Sequence, residues 1–316
     1  MTSKALRIYS KCVCVAVFFL IFAGSLVTSM GAGLSVPDWP LSYGMLFPPM
    51  VGGVLYEHGH RLIATTIGCL TIVLTIWIHL VEKRQKVRWL GYTALLLVVC
   101  QGLLGGLTVL FFLPTAISAA HAVVGQTFFI VTILIAYMMS EEWMRKPEEN
   151  SSTPVLFKVV IGFIPLVYIQ LIVGAVMRHS NSGLAIPDFP KNAGYWIPLF
   201  NQQMLEWINV HRFSLGLDPV AFWQVLIHAT HRFGGYLIFI GACVLLAFSG
   251  KAVRPNRALG VTIFLMVIVQ ICLAAATIWT VKSPWITSLH VLNGAAILGV
   301  SVVMALRVYP VRMLNS

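Results

Sequence analysis

Long apolar runs, separated by short clusters of charge, set the pattern of this chain. A helix needs about 20 apolar residues to cross the hydrocarbon of a bilayer. Runs of that length recur near 12–29, 57–81, 89–112, 115–139, 157–177, 222–249, 259–280 and 285–307. A spanning helix satisfies its own backbone polar groups where no water can, so the pattern predicts an all-α membrane protein with eight transmembrane helices.

The pattern also repeats. Gly33-Leu34-Ser35-Val36-Pro37-Asp38-Trp39-Pro40 returns 150 residues later as Gly183-Leu184-Ala185-Ile186-Pro187-Asp188-Phe189-Pro190. Arg61 returns as Arg232 and Gln101 as Gln270, at offsets of 171 and 169. The second copy therefore carries about 21 extra residues between Pro190 and His231, in the segment holding Trp196 to Pro219. Each copy has four spans, an even number, so both cross the membrane in the same sense. Parallel repeats of this kind are related by an axis along the membrane normal. The expectation is two tandem four-helix bundles related by a pseudo-twofold along that normal. The N-terminal half is 1–145 and the C-terminal half 146–316, joined by a polar link around Glu141 to Pro154.

Composition excludes a soluble domain, at 59% hydrophobic and 10% charged residues with a mean hydropathy of +0.88. Charge then sets the orientation. Lys4, Arg7, Lys11, Lys83, Arg84, Lys86, Arg88, Arg145, Lys146, Lys158, Lys251, Arg254, Arg257, Arg307 and Arg312 fall on one side, 15 of the 21 basic residues. That side is expected to be cytoplasmic, with both termini inside. The net charge of +11 is largely this bias and calls for no nucleic acid; membrane lipid is the partner a basic face implies. Lys11 flanks the first run and no small-residue cleavage site follows it, which predicts a retained helix in a bacterial plasma membrane. All six cysteines lie within or beside the spans, and read as packing residues.

The candidate chemistry rests on histidine. His60, His121, His231 and His290 sit inside apolar stretches as a duplicated pair, with separations of 61 and 59 residues. An imidazole in hydrocarbon is costly unless paired or ligating. All four fall near the starts of spans that enter from the outer side, so each half presents two imidazoles at similar height. That geometry clamps a flat macrocycle from both faces, and bis-His haem ligation is the expected role of both pairs. Zinc or copper would call for further converging ligands, for which Glu57 and His228 are the candidates. Glu57 and His228 occupy the same position, three residues before His60 and His231. A carboxylate in one half and an imidazole in the other suggests divided labour, with Glu57 as an acid/base or positioning group beside a reactive haem. Arg61 and Arg232, on the side where the positive-inside bias makes Arg unexpected, suggest partners for haem propionates, with Arg178 a third candidate. His58, His79, His179 and His211 are expected to lie outside the chemistry. The two Pro-Asp-aromatic-Pro stretches read as rigid covers over the sites.

With Glu57-x-x-His60-Arg61, Ala119-Ala120-His121-Ala122, His231-Arg232 and His290 set within eight spans, nearly the whole chain resembles the haem A synthase family. The resemblance implies a membrane oxidoreductase of cytochrome-oxidase assembly that converts haem O to haem A. A ring methyl becomes a formyl group through two hydroxylations and loss of water. It implies a resident haem b on His231 and His290, substrate haem O between His60 and His121, and a need for Glu57. Haem O synthase and oxidase assembly factors are the implied partners, besides an electron donor. Some members carry loop cysteine pairs where this chain has Ser35 and Ser42, and Ile186 and Asn192, so it resembles the cysteine-free type. The competing class is a bis-haem b electron carrier that leaves its haem unaltered.

Overall fold

The computed structural model describes residues 4–144, 154–250, 252 and 254–308. Arg145, Lys146, Lys251 and Arg312, and the boundary between the expected halves at 145/146, lie outside the described residues. Ten helices are formed among the described residues: α1 Lys4–Ser29, α2 Gly53–Val81, α3 Gln85–Leu110, α4 Thr115–Met138, α5 Glu141–Met144, α6 Pro154–His179, α7 Gln202–Ser214, α8 Phe222–Ser249, α9 Arg254–Trp279 and α10 Pro284–Val308. All except α5 and α7 are long and apolar enough to cross a membrane. The chain is a multi-pass helical membrane protein.

Each run of four spanning helices closes on itself. α1 packs on α2, α2 on α3, α3 on α4 and α4 back on α1; α6, α8, α9 and α10 make the same circuit. The two circuits meet through α1 with α10, α4 with α6, and α4 with α10. Half of the apolar window of α4 and of α10 is buried, against 17–28% for the other spans, so these two helices are the centre. Their contact is apolar, with Phe129 and Ile133 of α4 against Gly299 of α10, inside a core that also holds Phe128, Ile297, Leu298 and Val302. Phe18 of α1 extends it, with its ring 5.7 Å from that of Phe129. The outer helices expose Ile72 and Ile76, Leu96 and Leu103, Leu237 and Ile240, and Leu265 and Val269. In a membrane that apolar surface meets lipid, and nothing polar on it needs a partner.

Polar groups inside the spans bond locally or bridge helices. Thr71 and Ser301 donate to carbonyls four residues back, Ile67 and Ile297. Thr75 donates to Gly91 O across α2 and α3, and Tyr9 to Leu70 O across α1 and α2. The Tyr168 hydroxyl lies 2.6 Å from Thr127 Oγ1 and ties α6 to α4.

α2, α4, α8 and α10 all begin at the end carrying the two long loops, here the loop side. At the opposite end Arg7 pairs with Glu141 and Arg307 with Glu142, so α5 is clasped to the first and last helices. Arg84 pairs with Glu82 and donates to Met138 O.

The extra segment of the second copy, expected as an outer loop, contains α7. Asn201 caps it by accepting from Met204 N at 2.8 Å. Met204 and Ile208 turn inward against Ala185, Ile186, Val220 and Val225, a small second core over that half of the molecule. Thirteen residues reach only about 20 Å, too short to span.

The central contact yields a test. Phe129→Ala is expected to cost on the order of 3 kcal/mol and to lower the thermal midpoint in detergent as one transition, since Phe129 belongs to the joint between both circuits. Two separated transitions would show that the circuits do not depend on this contact.

Candidate functional site

His60 lies on α2 and His121 on α4; His231 lies on α8 and His290 on α10. By the packing order, each pair stands diagonally across its own circuit. All four fall between the seventh and tenth residues of their helices, roughly 9–14 Å in from the loop side at about 1.5 Å per residue. The His231 and His290 ring centres are 6.4 Å apart. Two imidazoles on opposite faces of a metal macrocycle place their centres roughly 6 Å apart, from two metal–nitrogen bonds of about 2 Å and about 1 Å from each nitrogen to its ring centre. His60 and His121 are close enough to interact electrostatically.

Small residues hold the rings in place. A Cβ on Gly24 would stand 2.9 Å from His60 Cε1, and one on Gly174 would stand 2.9 Å from His231 Cε1. α1 and α6 thus approach their imidazoles as closely as a residue without a side chain permits. Glutamines fix the backbone behind the rings: Gln101 donates to His121 O, Gln270 to His290 O and Gln170 to His231 O. Position 20, the counterpart of Gln170, is leucine. The four Nδ1 atoms are buried and form no hydrogen bond. Buried polar atoms are rarely left so, and a neutral imidazole has one nitrogen lone pair to offer an electrophile such as iron; His290 Nε2 also lies 3.2 Å from Gln270 Nε2. Among the described residues no group of three or more His, Cys, Asp or Glu converges on a metal-sized site. Two nitrogens suffice for a macrocycle that brings four of its own.

The loop side is built around the two arginines. Arg61 donates through Nη1 to Asp38 O and Leu41 O, and through Nη2 to Val36 O and Glu57 Oε1. Arg232 donates through Nη1 to Lys191 O and Asn192 Oδ1, and through Nη2 to Ile186 O and Asp188 O. The sequence suggests propionates as their partners; in the structure all four Nη N–H groups of each are taken up by the protein, chiefly by loop carbonyls.

Glu57 and His228 do the same work beside them. Both are buried, at 4% and 3% exposure. Glu57 Oε2 accepts from Val36 N at 2.8 Å, and His228 Nδ1 from Ile186 N at 3.0 Å. Val36 and Ile186 are themselves counterparts. The carboxylate takes the loop N–H on one oxygen and Arg61 on the other. A neutral imidazole accepts at one nitrogen only, so His228 holds the loop while its Nε2 stands 3.2 Å from Arg232 Nε.

Each loop is pinned a second time by its aspartate. Asp38 accepts from Tyr43 N and Gly44 N, and Asp188 from Ala193 N and Gly194 N. The N–H groups of Gly44 and Tyr43 hold the Asp38 carboxyl below the ordinary aspartate range. At the positions that resemblance assigned to cysteine, Ser42 and Asn192 are counterparts, while Ala185 rather than Ile186 matches Ser35.

Of the histidines set aside on sequence, His79 bonds Tyr92 OH, His211 stacks on Trp207 at 5.1 Å, and His179 offers its carbonyl to Thr115. His58 is a different case. It is 5% exposed, its Nδ1 lies 2.7 Å from Ser42 Oγ, and its Nε2 is buried without a partner. Its counterpart is Ala229, and that apolar replacement was the available sign that His58 belongs to one half alone. Ser118 Oγ and Thr287 Oγ1, each three residues before a candidate histidine, are also buried and unpartnered.

Fold and site together define a helical membrane protein with two half-buried imidazole pairs, one in each four-helix circuit. Comparison with known proteins agrees. A family model described as cytochrome oxidase assembly protein matches residues 52–302, and the chain belongs to that family. It is 27% identical over 268 residues to the haem A synthase of Bacillus licheniformis, covering 81% of this chain and 88% of the relative. It is 26% identical over 300 residues to that of Alkalihalophilus pseudofirmus, covering 92% of each. To that of Shouchella clausii it is 27% identical over 281 residues, covering 86% and 85%.

The loop pin titrates. Because the folded Asp38 value is depressed, its contribution is fully present above the unfolded aspartate pKa of about 3.9 and is lost as pH falls through the folded value. Hydrogen exchange at the Tyr43 and Gly44 amides, corrected for its intrinsic pH dependence, is expected to stay slow down to about pH 4 and to quicken below it. Asp38→Ala should quicken it at neutral pH, and unchanged protection there would remove Asp38 from the loop's support.

Proposed function

We propose that the chain is a haem A synthase, oxidising a ring methyl group of haem O to a formyl group through two successive hydroxylations and loss of water. The observation that carries this reading is the pair of imidazoles at one level in each circuit, each with a buried Nδ1 that has no hydrogen-bond partner, in a chain whose relatives bear that name. The N-terminal half, 1–145, takes haem O between His60 and His121. The C-terminal half, 146–316, keeps a haem b between His231 and His290, whose 6.4 Å ring separation fits a macrocycle. When bound, that haem supplies one-electron transfer. The two bundles are related by a pseudo-twofold along the membrane normal, a reading supported by the matched packing circuits and matched loop pins.

Differences between the halves support this division. The second loop lies under α7 and its small core. The first loop carries no such helix among the described residues, although both loops expose apolar side chains, Leu46 and Phe47 in the first and their counterparts Trp196 and Ile197 in the second. The added helix suits a site that retains its group, and a loop without one suits a substrate that must enter and leave. The protein sits in a bacterial plasma membrane with both termini cytoplasmic. Arg7, Arg84, Arg88 and Arg307 stand at the end opposite the loops, as positive-inside bias requires.

Glu57 serves the reaction as a positioning residue. It holds Arg61 and the Val36 N–H over the first pocket, and His228 in the equivalent place argues that the shared task is anchorage. Arg61 and Arg232 act likewise, as loop clamps at the mouths of the two sites.

Co-expression with a haem O source, followed by mass analysis of extracted porphyrins, tests the function. Haem A or its hydroxymethyl precursor is expected; recovery of unaltered haem alone would point to a bis-haem b electron carrier. His231→Ala and His290→Ala should each lose the resident haem, and normal haem content in both would refute that assignment. Glu57→Ala should reduce formyl production at least tenfold with resident haem intact. Glu57→Gln keeps an acceptor for the loop and should retain most activity; equal loss in both would make the ionised carboxylate itself an acid or base.

A further inference from the structure

The loop side of the second circuit carries positive charge that the first circuit lacks. Arg178 lies on α6 one turn beyond Gly174, the residue against His231, and so faces the same way. Its Nη2 donates to Ser25 O at 2.5 Å and Ser29 Oγ at 2.8 Å. Ser29 Oγ in turn accepts from Ser288 of α10, the residue after Thr287. Arg178 therefore stands where α1, α6 and α10 meet, outward of the His231–His290 pair. Its Nη1 and Nε have no hydrogen-bond partner recorded among the described residues.

Lys282 occupies the turn just before α10, outward of Thr287 and His290. Its side chain runs beside Gly183, where an added Cβ would stand 3.7 Å from Lys282 Cδ. The next residue, Leu184, accepts through its carbonyl from Arg212 Nη1 at 2.6 Å. Arg212 and Lys282 are thus neighbours across two residues of the loop. Although the residue is exposed overall, desolvation of its ammonium, with Arg212 and Arg178 close enough to repel it, holds Lys282 below the ordinary lysine range. Asp218 offsets part of the charge on Arg212. Among the described residues no carboxylate is recorded in a hydrogen bond or ion pair with Arg178 or Lys282. One turn outward of His290 on α10, Thr287 Oγ1 is buried without a partner.

The first circuit differs position by position. The counterpart of Arg178 is Thr28 and that of Lys282 is Leu113, while the segment carrying Arg212 has no counterpart. The hydroxyl is shared, as Ser118, but the cations are not.

We propose that Arg178, Lys282 and the Thr287 hydroxyl form an anion pocket that receives the carboxylate side chains of the porphyrin held by His231 and His290, and that its absence from the first circuit leaves the other porphyrin exchangeable. This rests on the assignment of the resident haem to the second half. It gives the two sites different holding power through charge, although their imidazoles are alike.

The test uses full-length chains with one site each and follows loss of porphyrin to excess apomyoglobin. With His60→Ala, which leaves the second site, haem b should leave about tenfold more slowly than its dimethyl ester, whose carboxylates are blocked. Adding Lys282→Met should erase most of that difference, and Lys282→Arg should restore it, with the bis-imidazole absorption spectrum unchanged in both. Lys282 lies in an exposed turn, so these variants leave the helix packing alone. With His231→Ala, which leaves the first site, haem and ester should leave at similar rates. Equal retention of haem and ester in the His60→Ala chain, or no effect of Lys282→Met, overturns the pocket while leaving the resident assignment standing. If His60→Ala fails to retain haem b while His231→Ala retains it, the assignment of the halves falls, and the pocket with it.

Discussion

A loop lying across the mouth of a membrane pocket must satisfy its own carbonyls, because neither lipid nor a packed helix end supplies donors. Arg61 and Arg232 meet that constraint. A guanidinium is a rigid fork of donors, and each here gathers backbone carbonyls from a loop some 20 to 45 residues away in sequence onto the first turns of a spanning helix. Because the adjacent residue is the candidate iron ligand, the same helical turn fixes both the cover and the imidazole beneath it. The geometry of each site follows from that coupling.

The two sites share matched residues, and they differ in the groups that surround the imidazoles. The anchor beside the clamp is a carboxylate in one half, able to accept on both oxygens, and an imidazole in the other, able to accept on one nitrogen. The backbone behind His231 is held by Gln170, where the first half has Leu20. His58 and its Ser42 partner occur in the first half only. Each change alters polarity or charge around the imidazoles and leaves the imidazoles in place.

Much of this was legible in the sequence. The eight spans were readable because an apolar run of membrane length has few alternatives; the boundaries agree to within about five residues, except that α1 begins eight residues earlier. The histidines stood out because polarity inside such a run is costly and the repeat doubled the signal. The partners of Arg61 and Arg232 were not legible: a lone cation beside a candidate ligand looks like a propionate partner, and carbonyl clamps leave no mark in composition. α7 was hidden because a short polar helix resting on a loop resembles loop; Asn201 with inward Met204 and Ile208 was the trace it left. His58 was passed over because helical spacing from His60 says where a residue points without saying what the loop places there.

The central position of α10 has a consequence for how the molecule is made. It is the last spanning helix among the described residues, yet it packs on α1 and α4 and holds α5 through Arg307. A ribosome that has delivered the first four spans has therefore produced a circuit whose inner flank still faces lipid. Closure waits for the final 25-residue helix. Truncation near the carboxyl end should thus harm the amino-terminal circuit as much as its own, and quality control in the membrane would meet a half-built protein lacking its keystone.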